Sequence, residues 1–404
     1  MSYSWTSGAG LAHIGIRFNG NHKDVRIACP ACGGHNFMMN TQSMYGKCFN
    51  CPFTADEPAY VAKTLGMTVA EARRWIEEKE GIDHNAWKSG APSQERIVKV
   101  IEKVPNNEAD DATKDDTYRA FLAELNLSSK NVADMRARCL CSDNQLAAWN
   151  YKTYPQKDEV NYFNLCKRLQ RDGHTLEGVP GFFRCKDGAG DFVFHQVTRG
   201  IIMPQVNYRN QITRLHIRKD DDALVYREDL DDYEPKCTWF TSRGLPCGAK
   251  ATAGVHYACD WKYSIEENMY KPVFDKGFCL TEGFMKADII HYLVPTLPVI
   301  AVAGVNSTLE LERELQRLKE WGVTTIRLAF DMDAETNEGV NVATKKVQEL
   351  IENTGLICEN TEWDVTVEEN PDAKLKGLDD FLAYVKLGII PKVKKITPKP
   401  EVAE

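Results

Sequence analysis

Four cysteines and three carboxylates are the residues of this 404-residue chain whose types and spacing could do chemistry. Cys29-Pro-Ala-Cys32 and Cys48-Phe-Asn-Cys51 are two Cys-x-x-Cys pairs with fifteen residues between them, the layout that builds a tetrahedral thiolate site on two tight knuckles. Gly33 and Gly34 follow the first pair and permit the backbone conformations a knuckle demands. One structural Zn2+ is therefore expected on Cys29, Cys32, Cys48 and Cys51, stabilising a ribbon too poor in apolar residues to fold alone. Phe37, Tyr45, Lys47 and Phe49 lie between or beside the knuckles. They either stack and steer single-stranded bases or pack the ribbon's own small core.

Glu282 in CLTEGFMKADII, and Asp331 and Asp333 in RLAFDMDAET, each stand at the end of an apolar run and before a helical pattern. In a parallel sheet, sites form at the carboxyl ends of strands, so these two loops should converge there. Asp331 and Asp333 would point to one side of an extended segment. Three carboxylates on one edge raise one another's pKa unless a cation neutralises them. One or two Mg2+ or Mn2+ ions would do so, keeping several waters and taking substrate phosphates into the shell. The matching chemistry is phosphoryl or nucleotidyl transfer. Taken singly, each acidic motif also fits helix capping.

The elements that must position these groups follow from the rest of the chain. Its length exceeds what one core usually organises, and 43% hydrophobic with 27% charged residues excludes a chain disordered throughout. There is no apolar run of about 18 residues and the N-terminus lacks a signal-peptide layout. A cytoplasmic protein is expected, and its thirteen cysteines argue against a disulfide framework. A formal charge of −8 excludes a uniformly basic surface, so nucleic-acid contact needs local patches. One such patch runs from Asn161 to Lys219, where ten lysines and arginines face four acids before the acidic run DDDALVYREDLDDYE. Two solvated segments of opposite sign are the plainer reading of that pattern.

The expected architecture is an α/β multidomain chain. Residues 1–82 read as a zinc ribbon, β-rich with two trailing helices, the second opened by a Thr68–Glu71 capping box. Residues 83–115 are a polar, proline-bearing linker. Residues 116–272 form a mixed α+β basic subdomain, with helical TYRAFLAELN and SSKNVADMRARCL and strands in DFVFHQV, GIIMPQV and ITRLHIR. Residues 273–390 alternate buried-type strands with helices, predicting a parallel sheet covered by helices. Residues 391–404 are a flexible tail.

The run IACPACGGHNFMMNTQSMYGKCFNC, with the helices through GMTVAEARRWIEEKEGI, resembles the zinc-binding domain of bacterial and phage DNA primases. Cys32 stands where bacterial members often carry histidine, as in all-cysteine phage versions. From about Gly277 to Leu387 the chain resembles the Toprim fold of primases, topoisomerases and certain nucleases, with Gly304 in the second turn and KGLDDFLA near the end. This resemblance implies that Glu282 is a general acid or base or a metal-associated carboxylate, and that Asp331 and Asp333 hold magnesium. Lys286, one turn after Glu282, either touches a phosphate or template backbone or is a plain surface lysine. Asp379 and Asp380 either approach the same edge or cap the following helix.

TRGIIMPQVNYRNQITRLHIRKD resembles the basic stretch that precedes Toprim in primase cores, with Arg199 and Arg218 at the matching positions. Their guanidinium forks would pair with triphosphate or template phosphate. Arg214 and Lys219 join them as candidate nucleotide- and template-binding residues. Asn210 occupies the turn where glycine is common in the family, which asparagine tolerates. More narrowly, GVPGFF through KGLDDFLA is similar to a Toprim-containing family of phages and integrated mobile elements described as primase-like. The implied function is that of a bacterial-type (DnaG-like) DNA primase making short RNA from ribonucleoside triphosphates on single-stranded DNA. No Gly-x-x-x-x-Gly-Lys-Ser/Thr loop occurs, and GLPCGAKAT has the wrong spacing, so a separate replicative helicase is the expected partner. No membrane partner is expected. A Toprim nuclease and a non-catalytic, zinc-dependent single-strand-binding adaptor are the alternatives.

Overall fold

The structure, a computed structural model, describes residues 9–16, 24–41, 43–51, 53–79, 108–185, 188–227, 232–304, 308–332 and 338–391. Asp333, most of the expected linker and nearly all of the expected tail lie outside the described residues. The chain divides into two units, Met1–Lys99 and Val100–Glu404.

In the first unit, α1 (Ala9–His13) precedes an antiparallel meander of β1 (Asp24–Ile27), β2 (Phe37–Asn40), β3 (Tyr45–Cys48) and β4 (Thr54–Asp56), trailed by α2 (Glu57–Leu65) and α3 (Val69–Lys79). Asp56 starts α2 by accepting the Ala59 N–H at 3.0 Å. The Thr68–Glu71 box forms as expected, with the Thr68 N–H donating to Glu71 at 2.8 Å and the Glu71 N–H to Thr68 at 3.3 Å. Phe37, Met39, Tyr60, Val61 and Ile76 make the core. Phe37 is wholly buried, its ring edge-on to Tyr60 at 5.1 Å, which settles that side chain as core.

The second unit opens with α4 (Asp111–Ala123), α5 (Ser129–Cys139) and α6 (Asp143–Trp149), capped by Asp110, Ser128 and Ser142. Helix α4 starts inside the stretch expected to be linker through residue 115. Of the acids at that linker's end, Asp110 caps the helix and Asp111 lies in its first turn, where negative charge is favoured. Then come β5 (Lys152–Thr153), α7 (Tyr162–Arg171), the hairpin β6 (Phe182–Arg184) and β7 (Phe192–Phe194), β8 (Gly200–Val206), β9 (Ile212–Lys219), the pair β10 (Tyr226–Arg227) and β11 (Asp232–Tyr233), and β12 (Cys237–Trp239). Strands β12-β9-β8-β5 form an antiparallel sheet. One face meets an aromatic core of Phe121, Phe182, Phe194 and Phe240. Leu215 and Ile217 belong to that core, so the alternation of β9 turns His216 and Arg218 to the opposite face.

The remainder comprises β13 (Val255–Ala258), the hairpin β14 (Trp261–Ser264) and β15 (Met269–Pro272), β16 (Gly277–Glu282), α8 (Phe284–Leu293), β17 (Val299–Val302), α9 (Thr308–Glu320), β18 (Thr325–Leu328), α10 (Glu338–Asn353), β19 (Ile357–Asn360) and α11 (Leu378–Leu387). The five-stranded sheet has the order β13-β17-β16-β18-β19. Its last four strands are parallel, and β13 pairs antiparallel to β17. Helices α9 and α10 pack on one face, α8 and α11 on the other. The domain boundary expected at residue 272 therefore cuts through this sheet. Val255–Ala258 is a four-residue segment interrupted by His256, too short to announce an edge strand from sequence alone.

Candidate functional site

The cysteine knuckles are built from backbone. The Cys29 N–H donates to Gly34 O at 2.7 Å and the Gly33 N–H to Cys29 O at 2.8 Å. Gly33 sits at φ 72°, the left-handed region that closes this turn at no steric cost. The second knuckle closes when the Cys48 N–H donates to Phe53 O at 2.9 Å and the Asn50 N–H to the Cys48 sulfur at 3.3 Å. The four sulfurs lie within 4.8 Å of one another, with Cys29–Cys51 at 3.7 Å and Cys32–Cys48 at 3.8 Å. A tetrahedral ion with Zn–S bonds of about 2.3 Å requires sulfur separations of about 3.8 Å. The donor set therefore fits one structural zinc. Burial holds the Cys51 thiol up at about 12 and raises Cys48. Burial also opposes ionising Cys29, but N–H groups of Ala31 and Cys32 outweigh it and leave that thiol below its ordinary value. Tyr45 and Phe49 remain about half exposed, at 53% and 49%, and the Lys47 ammonium stands 4.8 Å from the Phe49 ring centre.

The acidic edge is assembled from distant parts of the second unit. Strands β16 and β18 are parallel neighbours with Leu280 opposite Leu328, so Glu282 and Asp331 leave the sheet at adjacent carboxyl ends. The Thr281 hydroxyl donates to Ala329 O at 2.9 Å and pins the two strand ends together. Gly283, at φ 93°, turns the chain from Glu282 into α8. One turn along α8, Lys286 donates to Asp331 Oδ1. Burial opposes the charge on Lys286, but Asp379, Asp331 and Glu282 outweigh it and raise its pKa. Lys286 is thus the internal counter-ion of the edge.

Asp379, at the start of α11, completes the arrangement. It is buried, its Oδ1 has no hydrogen-bond partner, and burial, then Asp380, push it up to about 6 against the pull of Lys286 and Arg138. A Cβ on Gly377 would stand 2.3 Å from Asp379 Oδ1 and 3.4 Å from Asp331 Oδ1. Both carboxylates therefore pack against Gly377, and a side chain there would clash with Asp379. An orphaned buried carboxylate oxygen beside a second acid is a donor set that suits a hard divalent cation. The acids are spread around Lys286 rather than drawn up like the thiols, which are the metal-ligand cluster found among the described residues.

The basic candidates divide. Arg218 lies opposite Cys237 on β12, and the Cys237 thiol is raised by burial and by the Glu282 charge among others, which places this end of β9 beside the acids. Burial and the neighbouring Arg138 charge lower the Arg218 pKa, and Asp221 approaches it at 3.4 Å. Arg138, in the last turn of α5, also faces Asp379 and Asp380. Its only sequence signal was a basic residue at a helix end, which ordinarily complements the helix dipole. Arg214 instead donates to Thr252 and pairs with Glu108 at 3.0 Å, and Lys219 is buried against Glu234 at 2.5 Å. Arg199 pairs with Glu159 beside a cleft of about 230 Å³. The acidic run after β9 folds back on the cations, with Asp220 on Lys130 and Asp221 on Lys236. His216 lies buried between Trp239 and Phe284, and burial lowers it to about 4.

Fold and site together define a mixed α/β multidomain chain with a four-cysteine site in one unit and an acid-edged, parallel-containing sheet in the other. A domain family described as a domain of unknown function (DUF3854) matches residues 270–386. No curated protein matches the chain in sequence. The solved structures similar to it include DnaG-type primases. The zinc-binding and RNA polymerase domains of the Aquifex aeolicus primase share 13% identity over 88% of this chain and 77% of that one, with a TM-score of 0.42. The RNA polymerase domain of Mycobacterium tuberculosis primase DnaG shares 15% over 70% and 81%, with a TM-score of 0.42. The primase fragment of the bacteriophage T7 primase-helicase protein shares 11% over 84% and 90%, with a TM-score of 0.29. Among the described residues, no helix is long and apolar enough to cross a membrane.

Proposed function

We propose that the chain is a DNA primase of the bacterial type, serving phage or mobile-element replication and joining ribonucleoside triphosphates on a single-stranded DNA template, with unwinding left to a separate helicase. The observation that carries this reading is the meeting of Glu282, Asp331 and Asp379 around Lys286, with Arg138 and Arg218 alongside. Magnesium or manganese would be held by Asp331 and Asp379, with Glu282 and Asp333 as further donors, and when bound supplies charge neutralisation and Lewis acidity toward a triphosphate. The chain's own groups do the rest. Arg218 and Arg138 are like charges held side by side, an arrangement that an anionic phosphate relieves. Lys286 turns from Asp331 to a phosphate oxygen, and a Glu282 carboxylate oxygen accepts the proton of the attacking 3′-hydroxyl as the hydroxyl oxygen bonds to the α-phosphorus and pyrophosphate departs. The half-exposed Tyr45 and Phe49, with Lys47, present a stacking and phosphate-binding face for the template.

The full chain, incubated with single-stranded template, labelled ribonucleotides and either magnesium or manganese, tests this. Labelled oligoribonucleotides are expected. Template shortening would establish a nuclease, and template retention without chemistry a binding adaptor.

A further inference from the structure

Helix α8 carries a second polar side chain that the proposed chemistry does not use. Lys286 points to the acidic edge, and Asp288, two residues later and so about 200° around the helix, is buried beside strands of the four-stranded and five-stranded sheets of the second unit. Its neighbours on the same side of α8, Met285 and Ile289, pack with Ile201 and Met203 of β8 and Met135 of α5. In that apolar seam the carboxylate accepts the Tyr151 hydroxyl at 2.5 Å and faces His256 Nε2 at 3.1 Å. His256 Nδ1 accepts the Val206 N–H at 3.1 Å, so the imidazole proton must reside on Nε2 and be donated to Asp288. Val206 marks a register shift between β8 and β9, and His256 belongs to β13. One chain of hydrogen bonds therefore links the arginine-bearing hairpin, the edge of the five-stranded sheet, α8 and the residue before β5.

Burying a carboxylate in such a seam is unfavourable compared with a leucine of similar volume, and the return is directional register. Apolar contacts alone let a helix rotate about its axis. A rotation of roughly 10° displaces a side-chain tip by about 1 Å at the radius of a helix, and a displacement of that size can cost up to about a hundredfold in rate.

We propose that Asp288 is a positioning residue. Held by Tyr151 and His256, it sets the rotation of α8 against the β8–β9 hairpin and thereby the placement of Lys286 and the end of β16 opposite Arg218. The inference rests on reading that edge as a nucleotide site.

The test uses the full chain with Asp288→Leu, Asp288→Asn and Tyr151→Phe. Template-dependent synthesis is measured as kcat and KM for the ribonucleotide, together with Tm and amide exchange at Val206 and along α8. Asp288→Leu should lower kcat/KM on the order of tenfold to a hundredfold and speed exchange of the Val206 amide, with some loss of Tm because the Tyr151 hydroxyl and the His256 Nε2–H lose their acceptor. Asp288→Asn, which can still accept from His256 and donate to a reversed Tyr151 hydroxyl, should restore kcat/KM to within about threefold. Tyr151→Phe should fall between them, and it carries the measurement if Asp288→Leu does not fold. Wild-type kcat/KM in Asp288→Leu, or failure of Asp288→Asn to rescue, overturns the proposal. Unchanged exchange at Val206 also overturns it, whether or not the chain is active. A wild-type chain that makes no oligonucleotide sinks the primase reading instead, leaving exchange alone to decide whether Asp288 ties α8 to β8.

Discussion

The two candidate metal centres are built on opposite plans. The thiol site is local: its ligands fall within one meander, backbone N–H groups shape both knuckles, and two sulfur pairs already stand at tetrahedral separations with all four sulfurs within 4.8 Å. The acidic edge draws on two parallel strands, α8 and α11, and holds a lysine ammonium among its carboxylates. The first arrangement suits an ion that stays, and the second suits one that arrives with a substrate. Closed shells serve structure and open, oxygen-lined ones serve chemistry.

Breaking the closed site should have the largest effect. In Cys48→Ser, stoichiometric zinc should be lost by elemental analysis, together with the folded first unit, since structural zinc in small domains is worth roughly 10 kcal/mol or more. Zinc content equal to wild type would defeat the tetrahedral reading. Asp331→Ala should next reduce oligonucleotide synthesis by roughly a thousandfold, about 4 kcal/mol. Its Tm should stay near wild type, because the loss of one part-buried ion pair is offset by the loss of an acid that repels Asp379.

A further contrast comes from Asp379. Its folded pKa, raised to about 6 from 3.8, means the native state binds more protons than the unfolded chain in that window. Stability from this group is fully present below about pH 4 and is lost as pH rises through 6. Asp379→Asn in chelator should therefore stabilise the chain at pH 7 by roughly 3 kcal/mol and flatten the pH 4–6 slope of Tm. A smaller effect is expected on the ribbon. Tyr45→Ala should weaken single-strand binding by about 1 kcal/mol at constant Tm, read by fluorescence anisotropy, whereas Phe37→Ala should cost roughly 3 kcal/mol or more of stability.

Much of the thiol site was legible because spacing alone specifies it. Phe37 could not be told from Tyr45 and Phe49 until the pleat of the meander turned one inward and left the others outside. At the acidic edge, Glu282 and Asp331 stood out as acids ending apolar runs. Asp379 comes from a helix start whose approach depends on α11 packing against α8, and Arg138 from a helix that reads as ordinary surface. The basic run misled by its count. Charges add along a sequence, but Arg214 and Lys219 meet Glu108 and Glu234 only in the folded chain. The edge strand β13 was hidden for a similar reason: its pairing partner lies beyond α8.

The Lys286–Asp331 pair also changes what loading the edge involves. On the proposed function, uptake of a divalent ion there would be an exchange in which an ammonium leaves as the newcomer enters, so part of the electrostatic gain would be cancelled by the pair that is broken. Bare magnesium should bind weakly on that account. On the same proposal, a triphosphate that brings its own magnesium would give the displaced ammonium a new anion at once, which would tune the site to the complex rather than to either component.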